Sequence, residues 1–280
     1  MPPSQEASKG DIHEVDLGDG RTLFMTCAGS GERTVVLESG YHESSDIWML
    51  TEDGADRSVF ERLADRYRVC AYDRPGTLLL TADAPAVTDR STPVSMPRAG
   101  TAVIDDLHTA LARSGEEGPY LLVAHSMGGL LARLYAQTYP QHLDGVVFVD
   151  AFPVEMPALL GKKWKAYATV LNATGGGSSQ GYESIDVEGT IASIEASDPF
   201  PDIPIGVISK DLPFAGLPAD PVGFTAEDLE NAWAAAQPHL VALRPDTPHL
   251  IATGSDHYIH VRQPDLVEAM VDIVAGRSVR

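Results

Sequence analysis

The chain has 280 residues and a formal charge of −20, from 20 Lys plus Arg against 40 Asp plus Glu. An acidic excess of this size repels nucleic acid and anionic membrane surfaces at long range, so neither is an expected partner, and a neutral or apolar small molecule is the easier guest. Hydrophobic residues at 44% and charged residues at 21% describe a globular domain with a sizeable core, and no apolar run reaches membrane length.

Met1 to Gly20 lacks the basic start and apolar core of a signal peptide, so a cytoplasmic chain is expected. His13 to Leu17 and Arg21 to Ala28 flank Gly18-Asp19-Gly20 and read as a hairpin. Thr34 to Glu38 is the first inner strand and runs into Ser39-Gly40-Tyr41-His42. Phe60 to Tyr67 reads as a short helix and Arg68 to Tyr72 as a strand. Cys27 and Cys70 each fall in an expected strand without zinc or redox spacing, so two buried free thiols are expected rather than a disulfide. Asp73-Arg74-Pro75-Gly76 reads as a structural ion pair or turn. Thr81 to Pro97 is a long loop expected over the mouth of a pocket. Val103, Ile104, Leu107, Ala110 and Leu111 then line one helical face.

Tyr120 to Val123 is a short apolar run after Gly118-Pro119 and reads as a buried parallel strand. Leu130, Leu131, Leu134 and Tyr135 recur at helical spacing up to Pro140, so a strand passes straight into a helix at Ser126. So sharp a reversal strains the central residue and tolerates only small neighbours, which Ala124 and Gly128 supply. The turn lifts the Ser126 hydroxyl off the sheet edge and sets the Met127 N–H at the positive end of the helix, where an oxyanion is stabilised. That geometry suits nucleophilic catalysis.

Beyond it, Val146 to Val149 is a continuous apolar strand ending in Asp150. Residues 151–202 change character, with Lys162-Lys163-Trp164-Lys165, a Gly175 to Ser179 hinge and an amphipathic segment from Ile185 to Ile194. Ile205 to Ser209 returns to the sheet, and Thr225 caps a helix through Trp233 and Ala236. Leu250 to Ala252 is the last strand, followed by Gly254-Ser255-Asp256-His257-Tyr258 and a closing helix from Asp265 to Ala275. Alternating strands and helices argue for an α/β fold, a mainly parallel twisted sheet with helices on both faces.

From about Thr34 to the last helix the chain resembles the α/β-hydrolase family, on the Ala-His-Ser-Met-Gly turn with its strand and helix and on the Ser255 to Ile259 histidine loop. The first small residue of the turn is Ala124 where the family favours glycine. The resemblance implies a hydrolase core over 1–150 and 203–280 and a small helical cap over 151–202. It implies a second oxyanion N–H from Tyr41, after Gly40; the usual His-Gly pair is Ser39-Gly40 here. It also implies a Ser-acid-His order.

Serine is a poor nucleophile at neutral pH and needs a base within reach. Of nine histidines, His257 stands at the carboxyl end of the sheet with Ser126; His260 is the near competitor, and the two His257 and His260 alone make a poor metal signal. Asp150 and Asp211 both end strands on that edge. Asp150 is favoured because it stops an uninterrupted apolar strand, where an unpaired carboxylate would be costly, whereas Lys210 and a Leu-Pro turn allow Asp211 a solvated role.

The expected activity is therefore that of a serine hydrolase with catalytic Ser126, Asp150 and His257 and oxyanion donors Tyr41 and Met127. Its substrate would be a small neutral ester, lactone or related acyl compound. Phe152, Met156 and Trp164 are expected to line an apolar pocket or to form the core of the lid. No metal or organic cofactor is implied, and the oligomeric state is left open. Cofactor-independent peroxidation or C–C bond hydrolysis would use the same residues, and a low-turnover small-molecule-binding protein would keep the same fold.

Overall fold

The computed structural model describes residues 10–52, 56–79, 86–116, 118–173, 181–215 and 223–278. The Gly175 to Ser179 stretch, residues 81–85 of the long loop and the first residues up to Lys9 lie outside the described residues. Eight strands build one sheet: β1 (Asp11–Asp16), β2 (Thr22–Ala28), β3 (Thr34–Glu38), β4 (Arg68–Tyr72), β5 (Tyr120–His125), β6 (Leu143–Val149), β7 (Ile205–Lys210) and β8 (His249–Ala252), in the order β1-β2-β4-β3-β5-β6-β7-β8. Only β1 with β2 and β2 with β4 are antiparallel.

The inner strands are apolar on both sides because both faces of the sheet are covered. Side chains alternate across a strand, so Val36, Leu122, Ala124, Val146 and Phe148 enter one core with helices Gly100–Ser114, Met127–Thr138 and Ala226–Val241. Val35, Leu37, Leu121, Val123, Val147 and Val149 enter the other, with helices Val59–Ala64 and Pro264–Arg277. Thr225 caps its helix as expected, and with Asp228 closes a capping box.

Between β6 and β7 the chain leaves the sheet and forms helices Met156–Leu160, Trp164–Ala173 and Val187–Ala196, the last packed against Gly100–Ser114 and Met127–Thr138. Strand pair Arg98–Ala99 with Ile185–Asp186 joins this segment to the core. Part of the long loop is held against the core: Thr88 bonds Asp73, Ser91 bonds the Phe24 N–H and Thr92 the Thr22 N–H. Ser91 and Thr92 thus lie along β2. Asp73 and Arg74 do not pair with each other; Asp73 takes Arg90 at 2.6 Å, and Arg74 turns the other way, to Glu38 and Glu183 at 2.6 Å each.

Cys27 and Cys70 stand opposite each other in the β2–β4 register and are joined by a disulfide, which corrects the expectation of two free thiols. Neighbouring strands far apart in sequence brought them together. Disulfides belong to oxidising compartments, so this one weighs against the cytoplasmic expectation. Among the described residues no helix is long and apolar enough to cross a membrane. We expect unreduced, denatured protein to show no titratable thiol, and the Cys27→Ala, Cys70→Ala double variant to lose about 2–4 kcal/mol of unfolding free energy in urea titrations. Two thiols titrating without reductant would contradict the bridge.

Candidate active site

In chain order β4 and β5 lie on opposite sides of β3, so the segments leaving β3 and β5 diverge and open a crevice at the carboxyl edge of the sheet. β6 and β8 end on the same edge, and four loops therefore meet there: 39–43 after β3, Ser126 after β5, Asp150 after β6 and 253–258 after β8.

Ser126 has φ 50° and ψ −124°, a conformation that costs an L-residue about 1–3 kcal/mol. Its main chain is held on both sides: its N–H donates to the Val149 carbonyl at 3.2 Å, and its carbonyl accepts from Gly129 N–H at 2.9 Å and Phe152 N–H at 2.8 Å. The hydroxyl makes no capping bond to the helix that begins at Met127, so it is not spent on the helix end. At Gly128 a Cβ would stand 2.5 Å from the Glu38 carbonyl oxygen, which explains the glycine.

Asp150 is fully buried, with φ 40°, and its two oxygens are separately engaged. Oδ1 accepts from Lys210 N–H at 3.2 Å and Oδ2 lies 2.6 Å from His257 Nδ1. A carboxylate on Nδ1 keeps that nitrogen protonated and leaves Nε2 as an acceptor. Burial lowers the basicity of His257, the charge of His125 lowers it further, and the bond to Asp150 opposes both; the net direction is down. Asp211 is placed elsewhere: its Oδ2 accepts from Gly254 N–H at 3.0 Å, on an exposed turn.

The His257 ring is packed against Phe214 at 4.7 Å and edge-on to Trp233 at 5.4 Å. Neither ring was singled out from sequence, since the Trp233 helix and the Phe214 loop carry no motif. Phe152 and Met156 are fully buried and Trp164 nearly so, and Phe152 bridges Trp164 and Trp233. All these side chains but Phe214, which packs against its edge, belong to the larger apolar core.

The loop after β3 is pinned from below. Arg74 donates to the carbonyls of Ser39 and Gly40 as well as to Glu38 and Glu183, and Glu183 Oε2 accepts from His42 N–H at 2.6 Å. Tyr41 itself reaches the segment between β6 and β7, donating to Asn172 Oδ1 and accepting from Ile185 N–H, each at 2.8 Å. Among the described residues Asp150 bonds His257 and not His260, which is buried against Trp48 and His125. Glu43, His125 and His260 bring one ligand atom each within 4.8 Å of one another. Both His125 nitrogens are already taken, however, by Glu43 at 3.1 Å and by the His257 carbonyl at 3.0 Å.

Comparison with known proteins identifies the fold. Residues 33–176 match a family model described as the alpha/beta hydrolase fold. An uncharacterized protein of Schizosaccharomyces pombe is 30% identical over 169 residues, a match spanning 53% of this chain and 29% of that protein. Among solved structures, a serine hydrolase involved in carbazole degradation superposes with TM-score 0.59 at 16% identity, covering 96% of this chain and 100% of that one. An esterase from Thermogutta terrifontis gives TM-score 0.56 at 16% identity over 97% and 100% of the two chains. With its sheet order, its strained serine turn and this match over half its length, the chain belongs to the alpha/beta hydrolase fold family.

Proposed function

We propose that this protein is a serine hydrolase acting on an ester, lactone or related acyl bond of a small, neutral, mostly apolar molecule. The observation that carries the reading is the buried Asp150–His257 pair at 2.6 Å on the same sheet edge as a serine held at φ 50°. His257 Nε2 takes the Ser126 hydroxyl proton as Oγ attacks the carbonyl carbon, and the Tyr41 and Met127 N–H groups hold the oxyanion. Collapse of the tetrahedral intermediate returns that proton to the leaving alcohol. The same base then activates water, which releases the acid and frees Ser126. Residues 151–202 act as the lid, and the Phe214 and Trp233 rings around His257 favour an uncharged acyl group over an ionic one. One of the fold neighbours is an esterase, in keeping with this substrate class.

The test is turnover of a short-chain p-nitrophenyl ester together with covalent labelling by a p-nitrophenyl phosphonate. The expected result is a burst of p-nitrophenol and a single phosphonyl adduct on Ser126 by peptide mass spectrometry. Folded protein that turns over no ester and takes no label on Ser126 would sink the reading in favour of a binding protein of this fold.

A further inference from the structure

We propose that Glu43 and His125 form a positioning pair that ties the oxyanion loop, the nucleophile turn and the His257 loop to one buried point. The inference rests on the triad read above. Glu43 Oε2 accepts from Gly40 N–H at 2.9 Å, the residue before Tyr41, and lies 3.1 Å from His125 Nδ1. His125 is the residue before Ser126 and is fully buried; its Nε2 is 3.0 Å from the main-chain carbonyl oxygen of His257. One carboxylate and one imidazole thus reach three loops that are far apart in sequence. Gly40 is required for this approach, because a Cβ there would stand 2.5 Å from Glu43 Oε2 and 2.8 Å from His125 Nδ1.

The hydrogen-bond chemistry assigns the protons. A carbonyl only accepts, so His125 Nε2 carries a hydrogen; Nδ1 faces a carboxyl oxygen, so one proton also lies between Nδ1 and Glu43. Burial pushes the Glu43 carboxyl up, but the charge and hydrogen bond of His125, the charge of His257 and the Gly40 N–H together hold it below its ordinary value. The His125 ring centre lies 4.5 Å from that of His257.

The other groups facing the two rings are few. Asp150 holds His257 from β6, and Tyr258 stands 5.7 Å from His125 with its phenol kept protonated by the Glu43 charge. His260, 4.2 Å from His125, is held neutral by burial and by the neighbouring imidazoles. Lys210 Nζ sits over the Phe214 ring, on its way to Glu230. Among these, the charge of His125 is the one that lowers the basicity of His257, while the charges of Asp150 and Glu43 raise it.

The test compares Glu43→Gln, His125→Gln and the double variant with wild type on the p-nitrophenyl ester, after near-UV circular dichroism confirms folding. Removing the charge of His125 makes His257 easier to protonate, whereas Glu43→Gln removes a charge that acts in the other sense. The acid limb of kcat/KM is therefore expected to move to higher pH by roughly 0.5–1 unit in His125→Gln. The kcat is expected to fall about 10–100-fold with KM nearly unchanged, as a displaced base requires. The double variant is expected to lose no more than the worse single one, because the two residues act as a unit. An unmoved acid limb in His125→Gln, or single losses that multiply in the double variant, would overturn the proposal. The His257 imidazole titration, followed by NMR in the same proteins, reads the same shift without turnover, so an inert wild type would refute the hydrolase reading and leave the pair separately decided.

Discussion

Ser126→Ala is expected to lower kcat on a p-nitrophenyl ester by about five to six orders of magnitude while leaving KM within a fewfold of wild type. The reason is chemical rather than structural: alanine keeps the Cβ at φ 50° and leaves the main-chain bonds to Val149, Gly129 and Phe152 in place. What is lost is the oxygen that forms the acyl bond, and no other hydroxyl is proposed at the site. Unfolding free energy is expected to change by about 0.5 kcal/mol or less, since the hydroxyl makes no capping bond to the helix it precedes. Steady-state rates and urea titrations on the same preparations check both halves. Activity above a hundredth of wild type in a demonstrably pure variant would mean that another residue is the nucleophile.

The second large effect separates the carboxylates. Asp150→Asn is expected to cost about 10⁴-fold in kcat, because an amide facing His257 Nδ1 donates its own hydrogen and forces the ring proton to Nε2, the nitrogen that must accept from Ser126. The replacement keeps the volume of a fully buried side chain and its contact with Lys210 N–H, so the loss belongs to the tautomer and charge rather than to packing. Asp211→Asn is expected to stay within a fewfold of wild type, because that carboxylate serves the Gly254 N–H on an exposed turn. Parallel kinetics on the two variants decide the matter, and an inverted pattern would assign the acid to Asp211.

What could be read in advance follows from the range of the forces involved. The apolar run of β5, the small residues around Ser126 and the helical spacing beyond it are local, and they were legible because strand and helix periodicity act over a few residues. The burial of Asp150 was legible in physical terms: an acid that ends the apolar run Val146 to Val149 needs a partner, and its carboxylate stands 2.6 Å from His257. Trp164, Phe152 and Met156 were legible as one apolar group, while their packing around Trp233 was not.

The remainder depended on which strands became neighbours. Cys27 and Cys70 are 43 residues apart, and nothing in their spacing says that β2 pairs with β4 rather than with β3. Arg74 looked like the partner of Asp73 because they are adjacent, yet it spans two elements to reach Glu38 and Glu183, the latter 109 residues away. The contacts of His125 with Glu43 and the His257 carbonyl appear only once three loops share an edge. The sequence by itself determined the strand–turn–helix unit, the alternation of strands and helices and the residue types able to do acyl chemistry, since each rests on interactions between near neighbours. Only the tertiary structure decided the disulfide, the buried ion pairs and the tie beneath His257, because a side chain's distant partner is set by sheet order, and sheet order is a property of the whole chain.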